Sequence, residues 1–241
     1  MNFYKDVKAK FLNLVKEKNL FSQKVEVVST RTLTPEEVIG KPERDDFPLL
    51  KGKEVMIQAN FRGSFGQAFT DMPGNYHGTL NKILNLSLEN NLERAVFIST
   101  LNAVLRNLNY ISKTVHCRDK EPKECAEHLV DYINERYNNP RIAFIGMQPA
   151  MVQVLAANFK IRVTDLDPDN IGQQNWGLII EDVSNTKKIL DWSDLVVATG
   201  TTAVNNTLSS LLVKKPILFY GVTIAGIAYL KGYEQYCYCG H

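Results

Sequence analysis

No apolar run in this 241-residue chain approaches the roughly 20 residues that a helix needs to cross a bilayer. Residues 1–19, MNFYKDVKAKFLNLVKEKN, lack the continuous apolar segment and the small-residue cleavage site of a secretory signal. An excess of one charge is missing too. With 28 Lys and Arg against 26 Asp and Glu, the net charge is +2, and no basic stripe or strongly basic balance announces a nucleic-acid partner. Cysteine is sparse: Cys117, Cys125, Cys237 and Cys239 are read as free thiols of a cytoplasmic protein. Internal repeats and low-complexity tracts are lacking as well. What is present is ordinary globular usage, 44% hydrophobic and 10% aromatic, which offsets chain entropy and excludes a disordered chain.

The pattern changes near residue 115. The first half, 1–115, reads as α+β. Phe3, Val7, Phe11, Leu14 and Val15 recur at helical spacing, the mark of an amphipathic helix packed on a core. Gln23–Thr32 alternates β-branched and polar residues like a strand. Pro35, Gly40, Pro42, Pro48 and Gly52 mark a long loop. Strands are expected at Glu54–Phe61 and Gly66–Thr70, joined by a turn at Gly63 and Ser64. Helices are expected over about 76–89 and 92–108, the second apolar nearly all round and therefore buried on most sides.

The second half, 116–241, alternates strand and helix signals. Pro122 stands near a helix start. Buried strands are expected at Arg141–Gly146, Lys160–Asp165, Asp194–Gly200 and Pro216–Gly221, with a minor one near Leu178–Glu181. Helices are expected from Pro149 to about Phe159 and from Thr202 to Leu212. Such alternation predicts a Rossmann-like parallel sheet with right-handed crossovers.

In an open parallel sheet, ligands bind outside the carboxyl ends of the strands. Four such ends carry Gly146, Asp165, the run Thr199-Gly200-Thr201-Thr202, and Gly221. Gly146 allows close backbone approach, and Asp165 follows it by 19 residues, the distance at which dinucleotide-binding domains place a ribose carboxylate. The glycine fingerprint of such domains is nevertheless absent, and Pro149 removes one donor. Three hydroxyls and a glycine, followed by Asn205, exceed what a helix cap needs, since one threonine would suffice. This loop is expected to take an anionic or strongly hydrogen-bonding part of a ligand. In the first half, Thr70, Asp71, Asn75, Tyr76 and His77 share one loop, with Asp71, His77 and Asp165 as candidate acid–base groups. Asn102, inside the apolar helix, either ties a backbone or faces a site. Cys237-x-Cys239-x-His241, and Cys117 with Cys125 and His128, are soft-ligand sets without paired zinc spacing, and no residue is assigned to a metal. The sequence specifies no cofactor. The site is expected between the halves, bridging Thr70–His77 and Thr199–Asn205, in a homo-oligomer, by default a dimer.

The runs Phe144-Ile-Gly-Met-Gln-Pro-Ala and Asp194-Leu-Val-Val-Ala-Thr-Gly-Thr-Thr-Ala-Val-Asn-Asn-Thr-Leu resemble the Putative heavy-metal chelation domain family. So do Asp165 with Asp167, Pro168 and Gly172, and the later Gly221-Val-Thr. Gly66-Gln-Ala-Phe-Thr, Pro73-Gly74 and Leu101-Asn-Ala resemble the companion domain that precedes it. The resemblance implies an enolase N-terminal-like domain followed by a Rossmann-like domain, with a site where they meet. It also implies metal-chelator metabolism: condensation or hydrolysis of a pterin-, flavin- or siderophore-like molecule. The partners it implies are a small polar ligand and a chelated metal. Two alternatives stand beside it: a non-catalytic binding protein for a chelator or metal complex, and a nucleotide- or S-adenosylmethionine-dependent transferase.

Overall fold

The computed structural model describes residues 3–29, 40, 41, 46 and 54–241. Most of the Pro- and Gly-marked loop of the first half therefore lies outside the described residues, as do the last residues of the strand expected to run on to Thr32.

Helix α1 (Phe3–Glu17) buries Tyr4, Val7, Phe11 and Val15, the stripe that its spacing predicts. An antiparallel sheet follows, with strands β1 (Lys24–Ser29), β2 (Val55–Phe61), β3 (Ser64–Thr70) and β4 (Tyr76–Thr79) in the order β3-β2-β1-β4. The hairpin between β2 and β3 turns on Arg62 and Gly63, both at positive φ, and not on Gly63 and Ser64. Two successive positive φ values match the twist of the flanking strands.

The helix expected over 76–89 is corrected. Tyr76–Thr79 is strand β4, paired antiparallel with β1 through Lys24↔Thr79 and Val27↔Tyr76. Only α2 (Leu80–Leu84) is helical there. Edge pairing with β1 overrides the local periodicity. Helix α3 (Asn91–Asn107) forms as expected. Its twelve residues from Arg94 to Leu105 are all buried, because it packs on β2 and β3 with one side and on the second half with another.

The second half contains α4 (Glu121–Arg136), β5 (Ile142–Ile145), α5 (Pro149–Asn158), β6 (Ile161–Asp165), β7 (Gln174–Asn175), β8 (Leu178–Asp182), α6 (Thr186–Trp192), β9 (Leu195–Thr199), α7 (Thr201–Val204), β10 (Ile217–Tyr220), α8 (Ala225–Lys231) and β11 (Glu234–Tyr236). Their sheet has the order β11-β10-β9-β5-β6-β8-β7. All its pairs are parallel except β7 with β8. The helix expected from Thr202 to Leu212 is also corrected. It breaks after Val204, where Asn206 adopts a left-handed φ of 58°, and resumes as a single 3-10 turn over Leu208–Leu211.

Strand periodicity divides the core between the two faces of this sheet. Ile142, Phe144, Leu195 and Val197 face a cluster with α4 and α5. Ala143, Ile145, Val196 and Ala198 face the other cluster, which contains α1, α3 and the antiparallel sheet. The boundary expected at 115/116 falls between α3 and α4, and one apolar core runs across it. Each large side chain fully buried there, Phe97 and Phe219 among them, contributes roughly 1.5–3 kcal/mol relative to exposure.

Candidate functional site

Chain order places β5, β6 and β8 to one side of the parallel sheet and β9, β10 and β11 to the other. The direction of winding reverses between β5 and β9. Adjacent crossovers leave on opposite faces at such a point and open a crevice at the carboxyl ends. A cavity of ≈ 1170 Å³ lies there. Gly146, Asp165, Thr199, Gly200, Thr201, Thr202, Asn205 and Gly221 line it from the second half, and Glu54, Phe69, Asp71 and Asn91 from the first.

Glycine at 146 is required twice over. Its φ of +90° is left-handed, and a Cβ there would stand 2.7 Å from the Thr199 methyl. Above it the Tyr220 hydroxyl donates to the Gly146 carbonyl at 3.2 Å. Asp165 is held from two sides: one carboxylate oxygen accepts the Met147 N–H, and the other accepts the Asp167 N–H at 2.6 Å. Burial still pushes its carboxyl upward, against these hydrogen bonds.

The threonines are not equivalent. Thr202 donates its hydroxyl to the Thr199 carbonyl at 2.7 Å, and Thr199 accepts the Thr201 N–H at 3.3 Å. The Thr199 hydroxyl donates to the Thr201 hydroxyl at 3.2 Å. The hydroxyl proton left over is that of Thr201.

On the opposite wall, Asn91 donates to Asp71 at 2.7 Å, while its own oxygen accepts a guanidinium N–H of buried Arg94. Arg94 also spans to the Val204 and Leu88 carbonyls, so Asp71 is positioned through Asn91 by a cation fixed between the halves. Glu54, the residue before β2, also lines the cavity. Burial, then the negative charges of Asp165, Asp71 and Asp167, push its carboxyl up to about 7. A carboxyl poised there can both give and take a proton near neutral pH.

The remaining sequence candidates lie elsewhere. His77, on β4, is 67% exposed and pairs loosely with Glu26 at 3.9 Å, outside the cavity wall. Thr70 is fully buried and accepts the Met72 N–H at 3.1 Å, closing the turn after β3. Pro149 opens α5 and lines a smaller adjoining pocket of ≈ 170 Å³. Asn102 is fully buried and internally bonded. It donates to the Gln67, Val222 and Thr223 carbonyls at 3.0, 3.1 and 3.2 Å, and accepts the Gly226 N–H at 2.7 Å. Of the two readings of this Asn, the structure has the backbone tie.

The soft residues gather at one corner. His116, Cys117, Cys125 and Cys237 all line the cavity, although the sequence separates them into distant groups. The four thiols are free, and burial pushes Cys117 far up and Cys237 to about 12. Among the described residues, no three His, Cys, Asp or Glu side chains are set to hold a metal ion.

Sequence reasoning missed Glu54, Asn91, Tyr220 and His116 as lining residues. Glu54 read as the first residue of a strand, Asn91 as a residue between two expected helices, and Tyr220 as strand filler. Only the adjacency of His116 to Cys117 offered a local signal.

The family model described as DUF364, Putative heavy-metal chelation, matches residues 128–227. These include the β5–α5 turn and the Thr199–Thr202 loop that carry the resemblance. A crystal structure of a protein of unknown function from the same family, from Pyrococcus horikoshii, is similar in fold at 16% identity. That match has a TM-score of 0.57 and covers 92% of this chain and 80% of that one. A second such structure, from Desulfitobacterium hafniense DCB-2, is similar at 15% identity and TM-score 0.50, covering 74% of this chain and 73% of that one. No curated protein matches the chain.

Proposed function

We propose that this chain, whose residues 128–227 match the Putative heavy-metal chelation family, is an enzyme that binds and processes a small polar, metal-chelating molecule in the cavity between its halves. Residues 1–115 are taken as an enolase N-terminal-like domain and 116–241 as a Rossmann-like one. The order β8-β6-β5-β9-β10-β11, which reads 3-2-1-4-5-6 in order of appearance, supports the second assignment. The reaction class is condensation or hydrolysis of a pterin-, flavin- or siderophore-like compound, and any metal arrives as part of the ligand. A cytoplasmic two-fold dimer completes the reading. Light scattering that returned only the 27.3 kDa monomer would remove it.

One observation carries the reading: Glu54 titrates near 7 in a cavity that it shares with Asp165 and Asp71. A carboxyl pushed well above its ordinary range inside a cavity marks a candidate acid–base group. Glu54 moves the proton, Asp165 fixes the β5–α5 turn, and the Thr201 hydroxyl orients the ligand. The test is a thermal-shift screen of pterins, flavins and catecholates, followed by mass spectrometry of each compound that binds. Glu54→Gln is expected to keep binding and lose conversion. A binder converted equally by wild type and variant would refute the acid–base role, and failure of every class to bind would refute the reading.

A further inference from the structure

All four cysteines of the chain and three of its four histidines gather at one corner of the fold. They come from two stretches more than a hundred residues apart: 113–128, which leads into α4, and 237–241, which follows β11. The second stretch has no regular structure of its own, yet it is tied down along its length. The His241 N–H donates to the Val115 carbonyl at 2.9 Å, and the His241 carbonyl accepts the Thr114 and Val115 N–H groups at 2.9 and 2.8 Å. Lys113 donates to the Tyr238 carbonyl at 2.6 Å, and the Tyr238 ring stacks on His128 with centroids 3.9 Å apart. His241 Nε2 lies 3.0 Å from the Glu121 carboxylate, and the Tyr236 hydroxyl donates to the Cys125 carbonyl at 2.6 Å. These ties bring the thiols together. Cys117, Cys125 and Cys237 line the cavity beside His116, and Cys239 packs against the buried cluster that contains Cys125. Every pair of the four is near enough to interact electrostatically.

A second observation concerns the sulfur itself. The Gly240 N–H is hydrogen-bonded to the Cys237 sulfur. A Cβ at Gly240 would stand 2.4 Å from that sulfur, so glycine is what lets the backbone close over it. Lys113 places a positive charge near both Cys237 and Cys239. A donor and a cation turned on sulfur favour the thiolate. Packing as small apolar groups would account for buried Cys117 and Cys125, but it calls for neither an N–H on sulfur nor a neighbouring cation.

The geometry points to a site for one thiophilic metal ion, of the zinc and cadmium class, held by Cys117, Cys125, Cys237 and Cys239. This goes beyond the ligand-processing reading: it gives a metal carried in by the ligand a place at the cavity corner, and it stands whether or not Glu54 moves a proton. Among the described residues no three of these side chains stand converged on one point. Each sulfur swings between staggered positions about a single bond, so the four can converge while the backbone ties hold. Four thiolates are a donor set that closes around zinc. Burial keeps the thiols protonated until such an ion arrives, and a coordinated thiol gives up its proton to solvent.

The probe is cadmium alone, titrated into the full reduced chain and followed by its thiolate charge-transfer band in the ultraviolet. One ion per chain is expected, with a band of the strength that four thiolates give. Cys237 and Cys239, the two half-buried thiols, should then be protected from iodoacetamide, as read by mass spectrometry, and EDTA should remove the protection. Cys117→Ser and Cys237→Ser should each weaken binding at least tenfold with an unchanged circular dichroism spectrum, and His77→Ala, on an exposed strand elsewhere, should leave it unchanged. If a serine variant does not fold, band strength and protection in the wild type decide. No band, a weaker band than four thiolates give, absent protection, or binding indifferent to both serine variants would each overturn the inference. A disulfide between any two of the thiols, in a chain that takes up no cadmium once reduced, would overturn it in favour of a redox pair. No chelator enters this experiment, so failure of cadmium to bind leaves the ligand-processing reading standing, and failure of every chelator leaves the metal site standing.

Discussion

The side-chain oxygen of Asn102 accepts the amide N–H of Gly226 at 2.7 Å across 124 residues of chain. The same side chain donates to three carbonyls, at Gln67, Val222 and Thr223, so a single buried amide joins α3, β3 and the loop after β10. Asn102→Ala leaves the Gly226 N–H and the Gln67 and Thr223 carbonyls short of a partner, at about 1–3 kcal/mol for each group that stays dry, while the Val222 carbonyl keeps the Ala225 N–H at 3.1 Å. A loss of at least about 3 kcal/mol in urea unfolding is expected. A loss below about 1 kcal/mol would show that water replaces the amide.

Glu54 sets a pH signature. Its carboxyl lies near 7 in the folded chain against an ordinary value of 4.5, because of burial first and neighbouring carboxylates second. The folded state therefore holds the proton longer. The stability from this group is whole below about 4.5 and is lost as pH rises through 7. Glu54→Gln, which cannot ionise, should match wild type near pH 4.5 and exceed it at pH 8 by on the order of 2–3 kcal/mol. Denaturant melts at the two pH values decide; equal stability at both would show that Glu54 is solvated.

The threonine loop separates structure from binding within two residues. Thr202→Val removes the hydroxyl bonded to the Thr199 carbonyl and should cost about 0.5–1.5 kcal/mol of stability. Thr201→Val removes the hydroxyl proton left for a ligand and should weaken binding of any verified ligand while moving the melting temperature less. The reverse pattern would assign Thr201 to the scaffold.

Gly66 is a contact, not a turn. A Cβ there would stand 2.3 Å from both the Ala103 nitrogen and the Ser99 carbonyl oxygen, so β3 rests directly on the backbone of α3. Neither neighbour can yield without moving the helix. Gly66→Ala is expected to destabilise by more than about 3 kcal/mol, beyond the usual range of overpacking, because backbone is struck. Near-wild-type melting would mean that sheet and helix can part.

The parallel strands were legible because they are short apolar runs closed by Gly, Asp or Thr. Arg141–Gly146, Lys160–Asp165 and Asp194–Gly200 contain β5, β6 and β9 within a residue or two. Helix α3 was legible from its all-round apolarity. Tyr76–Thr79 was not, since its strand pairing depends on β1, some fifty residues earlier. The break at Asn206 was hidden because a left-handed Asn leaves no mark on the hydrophobic pattern. At the site, the strand-end residues could be named from sequence because the chemistry of parallel sheets fixes where they fall. Glu54 could not, because what makes it a candidate is the approach of Asp165 and Asp71 from other parts of the chain. The placing of His77 has the same root: residue type suggested chemistry, and its strand carries it to an exposed surface.

Helix α3 is apolar on sides that serve the antiparallel sheet and the helices of the second half, and this bears on how the chain emerges during synthesis. Its first partners, β2 and β3, are already made when it appears. Its second, the loop and helix around Gly226, follows more than a hundred residues later. For that interval the nascent first half carries an uncovered oily flank. Its maturation on the ribosome therefore depends on keeping that flank from other chains until the last strands arrive.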